Sequence, residues 1–454
     1  MTFGKRVKTV LPVALMVPAL IAPAPLESQE SRMSREDERS HPSASTQVAT
    51  TLSLGDILAL VDERNPRLQA ARFMVEAAAS RESSAGLLPD PILQLGVMNL
   101  ALPELSATMP ASMAPSIQAM QRIPLPGKLS LRGRIAEQGT AMSEAGARET
   151  WWRVRTEAAA GFYRLYALDR QIEVMHETLA LLQDFGTVAK AMYASGTGRQ
   201  ADVLRANVEV ARMAGEIERM SAQRQGAAAR LNALADRPGD HPLPTPALGQ
   251  LPLLEMPPDS LRVWAEDTRP LIERGRVGVE RAGSQRALAD KEIWPDFTVG
   301  LQYGQRKMDG DYRSMGGVSI GFSIPVFAGR RQLKAREEAR AVERVAQAEL
   351  REAHALVEAQ LGEAVADLRQ GETLIRLYRD EIIPQARATV ESSLSSYRVG
   401  TVDFMTLVDA EMALNRFEGE LFALLANYGA TLARLEMTIG RTLPPSGRLL
   451  SEDQ

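Results

Sequence analysis

The chain carries one segment order twice, and this duplication limits its fold before any single residue is considered. Leu88-Pro89-Asp90-Pro91 introduces an alternating apolar run, as does Trp294-Pro295-Asp296-Phe297. Ile123-Pro124-Leu125-Pro126-Gly127-Lys128 returns as Ile324-Pro325-Val326-Phe327-Ala328-Gly329-Arg330. Tyr193-Ala194-Ser195-Gly196-Thr197 returns as Tyr397-Arg398-Val399-Gly400-Thr401. Pro295 stands 206 positions after Pro89, Pro325 stands 201 after Pro124, and Tyr397 stands 204 after Tyr193. Three landmarks in one order at a nearly constant offset define a repeat. The copies span residues 52–236 and 259–441, each reading as helix, hairpin, long helix, tight turn and helix.

Composition narrows the class. The 454 residues include no cysteine, which removes disulfides, thiolate metal sites and a lipidated N-terminal Cys. Long tracts of Ala, Glu, Arg and Leu favour helix. A net charge of −4 with dispersed basic residues argues against nucleic acid as a partner. Lys5, Arg6 and Lys8 precede an apolar stretch from Val10 to Ala24, so residues 1–27 read as a secretory signal with its cut near Ala22-Pro23-Ala24. Residues 28–51 read as a flexible leader. No later segment offers the ~20 uninterrupted apolar residues of a transmembrane helix.

Two hairpins are predicted, at about residues 91–124 and 296–325. In the second, Phe297, Val299, Leu301 and Tyr303 alternate with Thr298, Gly300, Gln302 and Gly304. After a polar tip, Val318, Ile320, Phe322 and Ile324 alternate with Ser319, Gly321 and Ser323. One face is apolar and the other small and polar, as a barrel strand between lipid and water requires. Trp294, Phe297, Tyr303, Tyr312, Phe322 and Phe327 concentrate here in an aromatic-poor chain. The first hairpin alternates less cleanly, and an ordinary sheet of a soluble domain would also fit it. Four strands cannot close a barrel around a channel, so membrane-spanning strands would have to be pooled by several protomers.

The proline-free run from Lys128 to Ala194 would be roughly 100 Å long as one helix, and that from Arg330 to Ile383 roughly 80 Å, with Pro384 interrupting it. A globular core has no need of such lengths. Between the copies, residues 237–258 hold seven prolines and read as a linker. The tail at 442–454 reads similarly.

No catalytic constellation is present, so neither an enzyme nor a cofactor is expected. His41, His176, His241 and His354 are scattered, and Gly196-Thr197-Gly198 follows a helix where a phosphate loop would follow a strand. Met98, Met109, Met113 and Met120 surround the first hairpin. Thioethers suit Cu(I)-type ions, but Met equally fills irregular apolar loops, and no metal site is assigned.

Taken together, the proline-bounded hairpins and helical turns resemble the outer-membrane efflux protein family, the TolC-like channels. The telling residues are Pro89-Asp90-Pro91 with Gly96 and Asn99, then Gln121 and Ile123-Pro124-Leu125-Pro126-Gly127-Lys128-Leu129. Tyr397, Gly400-Thr401-Val402-Asp403-Phe404 and Leu407-Val408-Asp409-Ala410-Glu411 complete the set. The first group is most similar to the heavy-metal cation efflux branch. The resemblance implies an α+β membrane protein working as a homotrimer. Each protomer gives four strands to a twelve-stranded barrel in outer-membrane lipid, and the barrel continues as a periplasmic helical tunnel. A periplasmic adaptor and an inner-membrane pump are the implied partners.

The resemblance also implies site residues. Tips 195–202 and 399–409 would close the periplasmic end, and their turn residues Gly196, Thr197, Gly400 and Thr401 would meet the adaptor. Asp409 matches a pore-facing carboxylate, Asp202 an acidic residue of the gate network, and Asp403 lies in the same turn. The chain has Thr406 where relatives carry another aspartate and Val402 where they carry a gate arginine. Three copies of Asp409 around an axis would repel and attract cations; a plain surface aspartate is the alternative. A secretion channel of the same family and a periplasmic coiled-coil scaffold are the competing readings of the whole chain.

Overall fold

The computed structural model describes residues 51–98, 113–308, 311–324, 326–444 and 449. The signal, the leader except Thr51, Asn99, Met109 and most of the tail lie outside these. In order, the elements are β1 (Thr51–Leu52), α1 (Leu54–Arg64), α2 (Pro66–Ala85), β2 (Ile92–Met98), β3 (Met113–Ile123), α3 (Lys128–Ala194) and α4 (Gln200–Leu234). There follow β4 (Thr245–Pro246), α5 (Pro258–Thr268), α6 (Pro270–Lys291), β5 (Phe297–Met308), β6 (Asp311–Phe322), α7 (Gln332–Leu377), α8 (Ile383–Arg398) and α9 (Phe404–Ile439).

Local chemistry explains the helix boundaries. Ser53 and Asp56 form a capping box, each accepting the other's backbone N–H at 3.2 Å. Sequence periodicity predicts one helix over 54–84, but Asn65 leaves the helical region before Pro66 and caps α2 from its side chain. Arg269 before Pro270 divides α5 from α6 by the same departure of the backbone, without a side-chain cap. Both residues are buried, and each reaches the C-terminal carbonyls of the last helix of its copy. Asn65 Nδ2 donates to the Leu234 carbonyl at 2.7 Å. Arg269 donates to the Met437 carbonyl and, at 2.9 Å, to Glu149 Oε1.

The four long strands form one antiparallel sheet in the order β2-β3-β5-β6. The hairpins meet along β3 and β5, where Ile123 lies opposite Phe297 and Ala119 opposite Leu301. Arg306, Arg313 and Tyr312 are paired within β5 and β6, so the polar tip expected at 307–313 is much shorter. Gln94, Gln118, Gln302 and Gly317 share one face across the sheet. Leu95, Leu301, Val318 and Ile320 lie on the other, and Val318 and Ile320 are 74% and 72% exposed. An apolar face this open marks a surface for lipid or for another protein.

Two apolar cores stack along the helices. One gathers Val154, Phe162 and Leu165 with Leu368, Leu425 and Leu435, and it also includes Leu243 and Leu251. The proline-rich segment is therefore packed rather than loose: Leu243 and Leu251 are buried, and Tyr428 donates its hydroxyl to the Pro252 carbonyl at 2.9 Å. Leu449, in the expected tail, is buried and donates its N–H to the Leu251 carbonyl at 2.9 Å. The second core joins Leu182, Phe185 and Ile217 to Tyr397, Phe404 and Leu407. Pro384 does not end its helix. A π-helical turn at Tyr378–Ile382 carries the rod through, and the proline falls in the first turn of α8.

Candidate functional site

The two helical turns are built alike. At the end of α3, Gly196 takes φ 80° and donates to the Tyr193 carbonyl at 3.1 Å, while the Thr197 N–H reaches the Met192 carbonyl at 3.0 Å. At the end of α8, Gly400 takes φ 75°, donating to Tyr397 at 2.9 Å, and the Thr401 N–H reaches Ser396 at 3.0 Å. These are Schellman closures, which need a residue tolerant of positive φ. In each, the threonine hydroxyl adds a second bond to the same carbonyl, at 3.2 Å for Thr197 and 2.9 Å for Thr401. The Gly-Thr pairs thus turn the chain, and all four residues are exposed.

The turns differ in what supports them. Tyr397 is buried and meets Phe404 edge-on at 5.5 Å, whereas Tyr193 is 48% exposed and Gln200 stands in the position of Phe404. Asp403 caps α9, its Oδ1 accepting the Thr406 N–H at 2.9 Å and the Thr406 hydroxyl at 2.7 Å. Those bonds, helped by the positive charges of Arg205 and Arg199 from the first turn, hold its carboxyl below the usual carboxylate range. Thr406 is therefore the partner of the cap.

Asp202, half-buried in the first turn of α4, lies close enough to Tyr397 to act on it. Burial and then the Asp202 charge push the Tyr397 phenol above its ordinary value, and its hydroxyl has no hydrogen-bond partner among the described residues. Asp409 is exposed on α9. Among the described residues, no three acidic, histidine or cysteine side chains gather as a metal site, so Asp202, Asp403 and Asp409 do not form one cluster within a single chain.

Sequence reasoning missed a second assembly, at the junction of sheet and helices. Asp296, just before β5, is 7% exposed and accepts Lys128 Nζ at 2.7 Å and Arg122 Nη2 at 2.7 Å. Lys128 also donates to the Trp294 carbonyl at 2.8 Å, and the Leu125 N–H reaches Asp296 Oδ1 at 3.2 Å. Burial raises the Asp296 carboxyl, but the bonds from Lys128, Arg122 and Leu125 outweigh it and leave the group below the usual range. The signal was present in the sequence, since Pro-Asp and Gly-Lys are the repeated landmarks themselves.

This fold, a four-stranded sheet continued by long paired helices, is that of outer-membrane channels. The outer membrane protein VceC from Vibrio cholerae superposes with a TM-score of 0.73 at 18% identity, covering 86% of this chain and 96% of that one. CusC, whose structures concern folding and transmembrane channel formation, gives 0.75 at 15% identity over 86% and 92%. The open state of the Neisseria gonorrhoeae MtrE outer membrane channel gives 0.71 at 16% over 87% and 90%. No curated protein sequence matches the chain. Residues 262–441, nearly all of the second copy, match the outer membrane efflux protein family. The second copy thus carries the outer membrane efflux protein match, and the chain as a whole shares the fold of these outer-membrane channels.

Proposed function

We propose that the chain is the outer-membrane channel of a tripartite efflux system. Three copies pool twelve strands into one barrel, and their helices form a periplasmic tunnel. The channel conducts passively, receiving metal cations or small toxic compounds from an inner-membrane pump through a periplasmic adaptor. One observation carries this reading: a sheet with an exposed apolar face, whose outer edges are unpaired among the described residues, is continuous with helices of up to 67 residues. Among the described residues no helix is long and apolar enough to cross a membrane. The turns Gly196-Thr197 and Gly400-Thr401 offer the adaptor a rigid exposed surface. Asp202, Asp403 and Asp409 line the periplasmic end as its gate. Protein purified from outer membranes should run as a heat-modifiable trimer and conduct ions in planar bilayers. A protein soluble without detergent would instead support the scaffold reading and end this one.

A further inference from the structure

Within one chain, the exit of β3 and the entry of β5 are joined by the buried Lys128–Asp296 pair, with Ile123 opposite Phe297. The repeat supplies the counterparts of every part of that junction. Asp90 stands for Asp296, Arg330 for Lys128, and β6 and β2 for β3 and β5. Yet β2 and β6 lie at opposite ends of the sheet, and neither outer edge is paired among the described residues. Asp90 and Arg330 are exposed, and their side chains make no ion pair or hydrogen bond among the described residues. Arg331 is not the counterpart, because it lines a cavity beside Asp296 and Lys128 of its own chain.

We propose that Asp90 of one copy pairs with Arg330 of a neighbouring copy, and that β6 of the latter adds antiparallel to β2 of the former; this rests on the trimeric channel reading. The register follows from the repeat. Moving the β3–β5 pairing by the landmark offsets sets Phe322 opposite Leu93, Ile320 opposite Leu95 and Gly321 opposite Gln94. This keeps apolar residues on the apolar face and polar ones on the other, whereas a slip by one residue would mix the faces. The counterpart of Arg122 is Ser323, so each seam between copies has one cation where the junction within a chain has two. The closed ring alternates stronger and weaker junctions, and dissociation begins at the weaker.

The chain has no cysteine, so a double variant Q94C/G321C carries only the two reporting thiols. Oxidised in detergent, it is expected to form covalent multimers about tenfold more than Q94C/G317C, whose thiols are out of register. D90R and R330D should each lower the temperature at which the trimer dissociates, and D90R/R330D should restore it. A wild-type trimer with neither preferential cross-linking nor rescue overturns the seam and leaves the channel reading intact. Cross-linking without rescue overturns the ion pair and supports the register. A wild-type monomer overturns both the seam and the reading beneath it.

Discussion

Lys128 and Asp296 are separated by 168 positions in the chain, yet the Lys128 ammonium meets the Asp296 carboxylate at 2.7 Å with both groups buried. The pair ties the start of the longest helix to the strand that opens the second hairpin. It also fixes which strand edges remain for another molecule.

Removing either partner should expose the asymmetry of this junction. Asp296→Ala leaves the Lys128 ammonium with only the Trp294 carbonyl, and the loss should be about 3–5 kcal/mol, the cost of an uncompensated buried charge. Lys128→Met leaves Asp296 with Arg122 and the Leu125 N–H, so it should cost less. Urea unfolding followed by circular dichroism measures both, and an equal loss would contradict the ranking.

Glu411 gives a pH dependence of opposite sign to an ordinary carboxylate pair. It is 1% exposed and its Oε2 lacks a hydrogen-bond partner. Burial raises its carboxyl, Glu418 adds to this, and a hydrogen bond from Thr178 only partly opposes it. The folded state therefore holds the proton more tightly than the unfolded one, and stability falls as pH rises from the ordinary glutamate value through the raised one. Glu411→Gln should be more stable than the wild type at pH 7.5 by about 1–3 kcal/mol, a buried group's desolvation cost. The gain should vanish at acid pH in thermal melts; a gain independent of pH would rule out titration of this group.

At the second turn, Gly400 has open space where a Cβ would stand, so substitution strains the backbone alone. Gly400→Ala should cost about 1–2 kcal/mol, and Gly400→Asn less, because asparagine tolerates positive φ. Limited proteolysis between Tyr397 and Asp403 reads this locally. Equal cleavage of both variants would show that the left-handed conformation is not what the glycine supplies.

Asp409→Ala tests the gate directly. In planar bilayers the variant should lose sensitivity to block by multivalent cations, since three carboxylates around a narrow axis would no longer attract them. Unchanged conductance and unchanged block would leave Asp409 as a surface aspartate.

What could be read from the sequence was local. Period-two alternation marked the strands around Phe297–Tyr303, and the Gly-Thr pairs marked both turns, because each motif forms from neighbouring residues. The Asn65-Pro66 and Arg269-Pro270 breaks were equally local but were masked by the helical pattern on either side. Lys128–Asp296 and the orphan hydroxyl of Tyr397 depend on distant segments meeting, and no spacing announces that. Leu243 and Leu251 were hidden by the prolines around them, which determine backbone shape and say little about burial. The three aspartates proposed for the gate, Asp202, Asp403 and Asp409, do not come together in the folded chain alone. Their mutual distances belong to an axis that a single copy does not contain.

The π-helical turn at Tyr378–Ile382 separates Ile375, in one core, from Ile383, in the other, and none of its own residues is buried. An inserted residue advances a helix by about 100° without adding a turn. The stripe that grips the lower core is therefore out of phase with the stripe that grips the upper one. The long rod is geared at this level: Tyr378 meets Phe417 edge-on and Arg379 reaches the Leu449 carbonyl, so the change of phase is itself held in place.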